Sequence, residues 1–147
     1  KSKLTKSLFL FFILILSGDV EINPGPTVLP SNIKLAHINA RSITSINATN
    51  KPRIIQDFVL DNNIDILAVS ETWLKPASLP ETLRYVTPPD YCLLHEQRVT
   101  GRGGGVGYLF RSCLQFKRLA LNSFETFEVI GCKLSLLSNS TIFVNIY

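Results

Sequence analysis

Residues 64–74 read Ile-Asp-Ile-Leu-Ala-Val-Ser-Glu-Thr-Trp-Leu, and this stretch decides the fold. Its first part is mostly apolar without regular alternation, which predicts a short strand that is buried on both faces. Glu71 follows at the point where this strand leaves the core. A carboxylate held rigidly there is a good ligand for a hard cation. The alternative is a capping or salt-bridged glutamate, and the rest of the chain must decide between the two.

The composition is that of a globular chain with a buried core. Of the 147 residues, 46% are hydrophobic and 18% are charged, which suits one domain or less and excludes a largely disordered chain. The net charge of +4 and the pI of about 9.1 suit a polyanionic partner but do not require one. The chain has no methionine, and residues 141–147 have a strand pattern without a following turn, so we expect a piece of a longer protein.

The three cysteines, Cys92, Cys113 and Cys132, include no Cys-x-x-Cys pair. Their spacing does not fit a zinc site, and an odd number argues against a complete disulfide framework. We therefore expect buried free thiols in a reducing compartment.

Residues 1–26 form a leader that we expect to lie outside the fold of the rest. Lysines precede an apolar run at 8–16 that is too short to cross a bilayer, so no stable membrane span is predicted. The run fits the apolar region of a signal peptide, although Leu16 and Asp19 make a poor cleavage site. Secretory targeting through residues 1–18 stays open but is not favoured.

The end of the leader carries a more specific motif. It resembles the 2A class of ribosome-skipping peptides at each fixed position, namely Asp19, Val20, Glu21, Asn23, Pro24, Gly25 and Pro26. The resemblance implies that the ribosome leaves the bond between Gly25 and Pro26 unmade, because the ring-constrained amine of proline is hindered. The alternative is an ordinary Pro/Gly turn that links a leader to a domain.

After a linker at residues 27–32, residues 33–147 alternate between strand and helix patterns. Strands at 33–39 and 64–69, with a helix at 52–60 between them, imply a parallel pair with the helix packed across it. In this helix the apolar face is predicted to comprise Ile54, Ile55, Phe58 and Val59. The remaining predictions are a loop at 75–90, strands at 91–95, 124–136 and 141–147, and a further strand after the glycines of 101–107.

These glycines do not form a known phosphate-binding loop. No Gly-Lys-Ser/Thr follows them, their spacing is not that of a dinucleotide site, and they lead into a strand rather than a helix. We expect them to permit a tight turn and a close approach of the backbone.

Polar residues at predicted strand ends, in the order Asn39, Glu71 and Tyr147, resemble the endonuclease/exonuclease/phosphatase superfamily, the fold of DNase I. The amino-acid sequence of four segments, 37–43, 65–74, 101–106 and 144–147, most resembles the endonuclease domain of LINE-type (non-LTR) retrotransposons. The resemblance implies an α/β fold, the N-terminal half of a four-layer α/β/β/α sandwich with two mixed sheets.

The resemblance also implies a role for each residue. Glu71 would bind Mg²⁺, Asn39 would hydrogen-bond near the metal, and the Tyr147 hydroxyl would contact the scissile phosphate. These groups suit phosphodiester hydrolysis, where charge develops on the phosphoryl oxygens. The alternatives are an Asx turn for Asn39 and a core aromatic for Tyr147. His37 and His95 do not match the catalytic histidine of the family. We expect His37 to be a strand residue and His95 to be partly exposed.

The function implied is Mg²⁺-dependent nicking of DNA to prime reverse transcription, with a reverse transcriptase domain downstream and the nucleus as the site of action. The family's Asp-x-Asn pair and Ser-Asp-His ending would lie beyond Tyr147, so residues 26–147 alone are expected to have little activity. The alternatives are a phosphatase or abasic-site nuclease of the same fold, or a leader-bearing secreted or interaction protein without catalysis.

Overall fold

The structure, a computed structural model, describes residues 13–14, 32–43, 50–75, 80–98, 101, 103–136 and 139–147. The described elements, in chain order, are β1 (Ile13–Leu14), β2 (Leu35–Asn39), α1 (Lys51–Asp61), β3 (Ile66–Ser70), α2 (Pro80–Val86), β4 (Tyr91–Glu96), β5 (Val106–Arg111), β6 (Phe116–Arg118), β7 (Val129–Ser135) and β8 (Ser140–Ile146). In these ranges no helix is both long and apolar enough to cross a membrane.

The strands form two four-stranded sheets. The first has the order β2-β3-β5-β4, with β2 and β3 parallel and the other pairs antiparallel. The second has the order β1-β8-β7-β6 and is antiparallel in each pair. The parallel β2–β3 pair with α1 between them in sequence confirms the predicted strand–helix–strand unit. The chain therefore has an α/β fold built on two sheets, as expected.

The β3 strand is the centre of the molecule because its two faces belong to two different cores. Leu67 and Val69 pack with the helix residues Ile55 and Val59. Ile66 and Ala68 face the second sheet and pack in a cluster that also contains Tyr108, Phe116, Ile130, Cys132 and Phe143. Every residue of β3 is buried, which confirms the prediction from its unbroken apolar sequence. The order of layers in the described residues is helices, first sheet, second sheet.

Several predictions about the elements were wrong. Ile54 and Phe58 are 55% and 38% exposed, because only the stripe of Ile55 and Val59 faces the sheet. The expected loop at 75–90 contains α2, whose first residue is Pro80. Proline has no backbone N–H, but the N–H groups of the first helical turn have no acceptor within the helix, so none is lost there. Its fixed φ also suits the first turn.

The cysteine prediction was only partly right. All three are free, but Cys92 and Cys113 are exposed, since each lies outside the two cores. Only Cys132 is buried, and burial raises the pKa of its thiol to about 12.

Two residues of the predicted leader belong to a sheet. Ile13 and Leu14 pair antiparallel with Phe143 and Ile142 of β8. The skipping motif at 19–26 and residues 27–31 of the predicted linker at 27–32 lie outside the described residues, so the boundary drawn at residue 26 stays a prediction.

Candidate active site

Glu71 stands directly after β3, in a backbone conformation that is unusual for a residue other than glycine. Its φ is 54°, in the left-handed region. Backbone hydrogen bonds hold it there: Ser42 N donates to Glu71 O over 2.8 Å, and Thr72 N donates to Gly105 O over 3.1 Å. These bonds join the chain after β2 and the glycine-rich turn before β5 to the end of the central strand. The carboxylate is therefore mounted on three adjacent strands of the first sheet.

Two of the predicted site residues meet Glu71 at a single atom. Asn39 ends β2 in register with Ser70 of β3, and its Nδ2 donates to Glu71 Oε1 over 2.8 Å. The Tyr147 hydroxyl donates to the same Oε1 over 3.0 Å from the end of β8 in the second sheet. The structure therefore brings Asn39, Glu71 and Tyr147 together, at the edge where the two sheets meet.

The electrostatics of the site keep Glu71 ionised and Tyr147 protonated. The hydrogen bond from Asn39 is the largest influence on the pKa of Glu71 and lowers it. Interactions with Tyr147, Trp73 and Arg41 lower this pKa further, while partial burial opposes them. Burial, followed by the interaction with Glu71, raises the pKa of Tyr147. At neutral pH the site therefore contains an anion that accepts hydrogen bonds from neutral donors, among them Asn39 and Tyr147.

The Glu71 carboxylate is a suitable ligand for a magnesium ion. Mg²⁺ is commonly bound through one or two carboxylates and fills its other positions with water and substrate phosphate. Asn39 and Tyr147 both use Oε1, so neither of them occupies Oε2 of Glu71. The described residues contain no group of three or more His, Cys, Asp and Glu side chains that could hold a metal.

The histidines lie where the sequence placed them and outside the Glu71 cluster. His37 is a residue of β2, and its Nε2 is 2.7 Å from Ser70 Oγ. His95 lies on β4 and is partly buried. Burial lowers the pKa of both side chains, so both are neutral at pH 7.

The glycine-rich turn confirms the predicted close approach of the backbone. Gly103, Gly104 and Gly105 all have positive φ. A Cβ atom on Gly105 would lie 2.5 Å from Thr72 Oγ1 and 3.3 Å from Glu96 O. The turn must therefore lack side chains to lie against the residues that follow Glu71.

Sequence reasoning missed two charged residues beside Tyr147. The Nε and Nη2 atoms of Arg98 both donate to the carboxylate of Glu128, and the Arg98 Cζ lies 6.0 Å from the centre of the Tyr147 ring. Arg98 comes just before the glycine-rich turn, but no local signal in the sequence relates it to a partner thirty residues further on.

Sequence reasoning also missed the role of Asn145. It is 2% exposed, and its Nδ2 donates to Val69 O over 3.0 Å and to Gly107 O over 3.1 Å. The side chain thus connects β8 with two strands of the first sheet. The strand alternation that places Asn145 on the same face as Phe143 and Tyr147 was the available signal.

A family model agrees with this fold. The model described as the Endonuclease/Exonuclease/phosphatase family matches residues 36–144, which is most of the chain. Among curated protein sequences, none matches at a significant level.

Solved structures share the architecture at low sequence identity. The AP endonuclease LMAP from Leishmania major is 18% identical with a TM-score of 0.56, over 77% of this chain and 38% of that one. TDP2 from D. rerio, complexed with a single-strand DNA product, is 11% identical with a TM-score of 0.54, over 80% of this chain and 46% of that one. This chain thus spans less than half the length of either protein, and the likeness is one of fold. With the family model matched over residues 36–144, the chain belongs to the Endonuclease/Exonuclease/phosphatase family.

Proposed function

We propose that these residues are the N-terminal part of a Mg²⁺-dependent DNA endonuclease of a LINE-type retrotransposon, which nicks DNA to prime reverse transcription. The observation that carries the proposal is the convergence of Asn39 and Tyr147 on Glu71 Oε1, at an edge shared by both sheets. The sequence of residues 65–74 resembles the endonuclease domain of LINE-type retrotransposons, which supports this type of endonuclease. On this proposal a reverse transcriptase domain follows in the longer protein, which acts in the nucleus.

Each residue has a definite task in phosphodiester hydrolysis. Glu71 would hold the metal, which when bound supplies positive charge to the phosphoryl oxygens as negative charge develops on them. Asn39 fixes the orientation of the carboxylate through its amide. The Tyr147 phenol retains its proton, and when substrate binds it can redirect its single O–H from Glu71 Oε1 to a phosphate oxygen. The AP endonuclease and the DNA-bound TDP2 among the similar structures support DNA as the substrate. An abasic-site nuclease is the alternative of the same fold.

The experiment is plasmid nicking by a longer protein that contains residues 33–147. Glu71→Gln keeps the shape of the side chain and removes its charge, so we expect a loss of cleavage of about 100-fold or more with little change in thermal stability. The matched control is Glu125→Gln, since Glu125 lies in an exposed loop. Nicking at the wild-type rate at low Mg²⁺ concentration by the Glu71→Gln protein would refute the metal assignment.

Residues 26–147 alone are expected to nick DNA weakly at most. Loss of a general acid–base group typically costs on the order of 10²–10⁴ in rate. His37 contacts Ser70 and His95 lies on β4, so neither described histidine joins the Glu71 cluster. Robust Mg²⁺-dependent nicking by the purified chain would show that the acid–base group is already present in it.

We propose further that translation separates the chain between Gly25 and Pro26. The support is the complete motif from Asp19 to Pro26 behind an apolar run. In cell-free translation with a reporter on each side, we expect two products, and Pro26→Ala should restore the single long product. A single product from the unchanged sequence would contradict this proposal.

A further inference from the structure

Arg98 connects the two sheets at the edge of the candidate site. It follows the end of β4 in the first sheet, whereas its partner Glu128 directly precedes β7 in the second. Nε donates to Oε1 of Glu128, and Nη2 donates to Oε2 over 3.2 Å. The side chains are 31% and 11% exposed, so this two-point ion pair is largely shielded from solvent. Such a fork-to-fork contact fixes the orientation of both groups.

Glu128 is also the strand neighbour of Tyr147. The N–H of each residue donates to the carbonyl oxygen of the other, over 3.0 Å in both directions. Directly opposed residues of an antiparallel pair project to the same face of the sheet, so the Glu128 carboxylate and the Tyr147 ring lie side by side. The guanidinium bound to this carboxylate lies 6.0 Å from the centre of the ring, at cation–π distance.

The glycine-rich turn closes the other side of Arg98. A Cβ atom on Gly104 would lie 2.6 Å from Arg98 Nε, and the Gly104 carbonyl accepts a hydrogen bond of 2.9 Å from Trp73 N. The turn that leaves room for the guanidinium is therefore the same turn that holds the chain after Glu71. Arg98 lies between this turn and the second-sheet pair of Glu128 and Tyr147.

We propose that Arg98 is a positioning residue that, with Glu128, holds the Tyr147 phenol so that its hydroxyl reaches Glu71 Oε1. Tyr147 directly follows the last residue of β8, and its ring is only partly buried against the core between the sheets. A two-point ion pair beside the ring adds a further constraint on its rotamer. The consequence for DNA cleavage rests on the proposed function, whereas the arrangement of the three side chains does not.

The structural test is NMR of the chain labelled with ¹³C in its tyrosine rings, at neutral pH and without metal. The quantity measured is the change in the Tyr147 Cζ chemical shift on Glu71→Gln, which reports the hydrogen bond. We expect a clear change in the wild-type background, and its loss in the Arg98→Gln and Glu128→Gln backgrounds. Tyr91 and Tyr108 serve as internal reporters of the fold. Arg53→Gln is the matched control, since Arg53 is 69% exposed in a surface ion pair.

An undiminished change in either folded variant would overturn the inference. If Arg98→Gln does not fold, Glu128→Gln decides, because it retains the size of the side chain. In a longer protein that cleaves DNA, we expect Arg98→Gln to reduce kcat about 10- to 100-fold with KM little changed, the cost of a misplaced group. Absence of cleavage by the wild-type protein would count against the proposed function and would leave the NMR result to judge Arg98.

Discussion

The buried amide of Asn145 is expected to be one of the strongest single contributors to stability. It donates to Val69 O and Gly107 O, which belong to paired positions of β3 and β5. Asn145→Ala removes both N–H groups that the side chain donates, in a region where Asn145 itself is 2% exposed. A hydrogen bond contributes about 0.5–1.5 kcal/mol, so we expect the loss of two to lower the free energy of unfolding by about 1–3 kcal/mol.

Urea unfolding of the chain measures this loss. Asn145→Leu separates the two physical causes, because it fills the space left by the side chain without supplying a donor. If the hydrogen bonds dominate, Asn145→Leu is destabilised as much as Asn145→Ala. Asn122→Ala, at an exposed loop position, should change the free energy by no more than about 0.5 kcal/mol. A loss below about 1 kcal/mol in Asn145→Ala, or full recovery in Asn145→Leu, would refute the reasoning.

Two further predictions concern the turn and the pH dependence. Gly105→Ala should destabilise the fold by about 2–3 kcal/mol, because its Cβ would clash with Thr72 Oγ1 at a φ of 84°. Gly101→Ala has a similar φ but meets nothing nearer than 3.9 Å, so it should cost only about 1 kcal/mol in the same urea assay; equal losses would exclude the clash. For His95, burial and the charge of Arg118 lower the pKa, so below pH 6.5 the unfolded chain binds more protons than the folded one. The stability that neutral His95 contributes should therefore be fully present above pH 6.5 and decrease as the pH falls toward the folded-state pKa. Thermal melts of His95→Leu should show a weaker decrease of stability at low pH, and His37 should account for part of the decrease that is left. An unchanged pH profile in His95→Leu would contradict the assignment.

The parallel pair of the first sheet could be predicted from sequence because its signals are local. An unbroken apolar run predicts a strand covered on both faces, and a helix between two strands predicts a parallel pair. Asn39 and Glu71 were placed at the ends of these two strands, and in the structure their side chains are 2.8 Å apart. The position of Tyr147 came only from the family resemblance, because its contact with Glu71 depends on how the two sheets stack.

Local reasoning failed where packing decides. Four apolar residues of α1 were expected on one face, but the sheet covers only Ile55 and Val59, and nothing in the helix sequence distinguishes them from Ile54 and Phe58. The short helix α2 was missed because prolines around it suggested a loop. The pairing of Arg98 with Glu128 joins two sheets, and a charge in sequence carries no information on so distant a partner.

The geometry of the candidate site depends on how the two sheets stack. Asn145 connects the sheets in the core, while the pairs Glu71–Tyr147 and Arg98–Glu128 connect them at the edge. The left-handed φ of Glu71 costs on the order of 1–2 kcal/mol. Two backbone hydrogen bonds, from Ser42 N to Glu71 O and from Thr72 N to Gly105 O, hold the residue in this conformation. Because the carboxylate belongs to one sheet and the phenol to the other, a shift of one sheet against the other separates them. A substitution in the core between the sheets should therefore disturb the Glu71–Tyr147 hydrogen bond before it unfolds the chain, since the geometry of a site is only as firm as the elements that carry it.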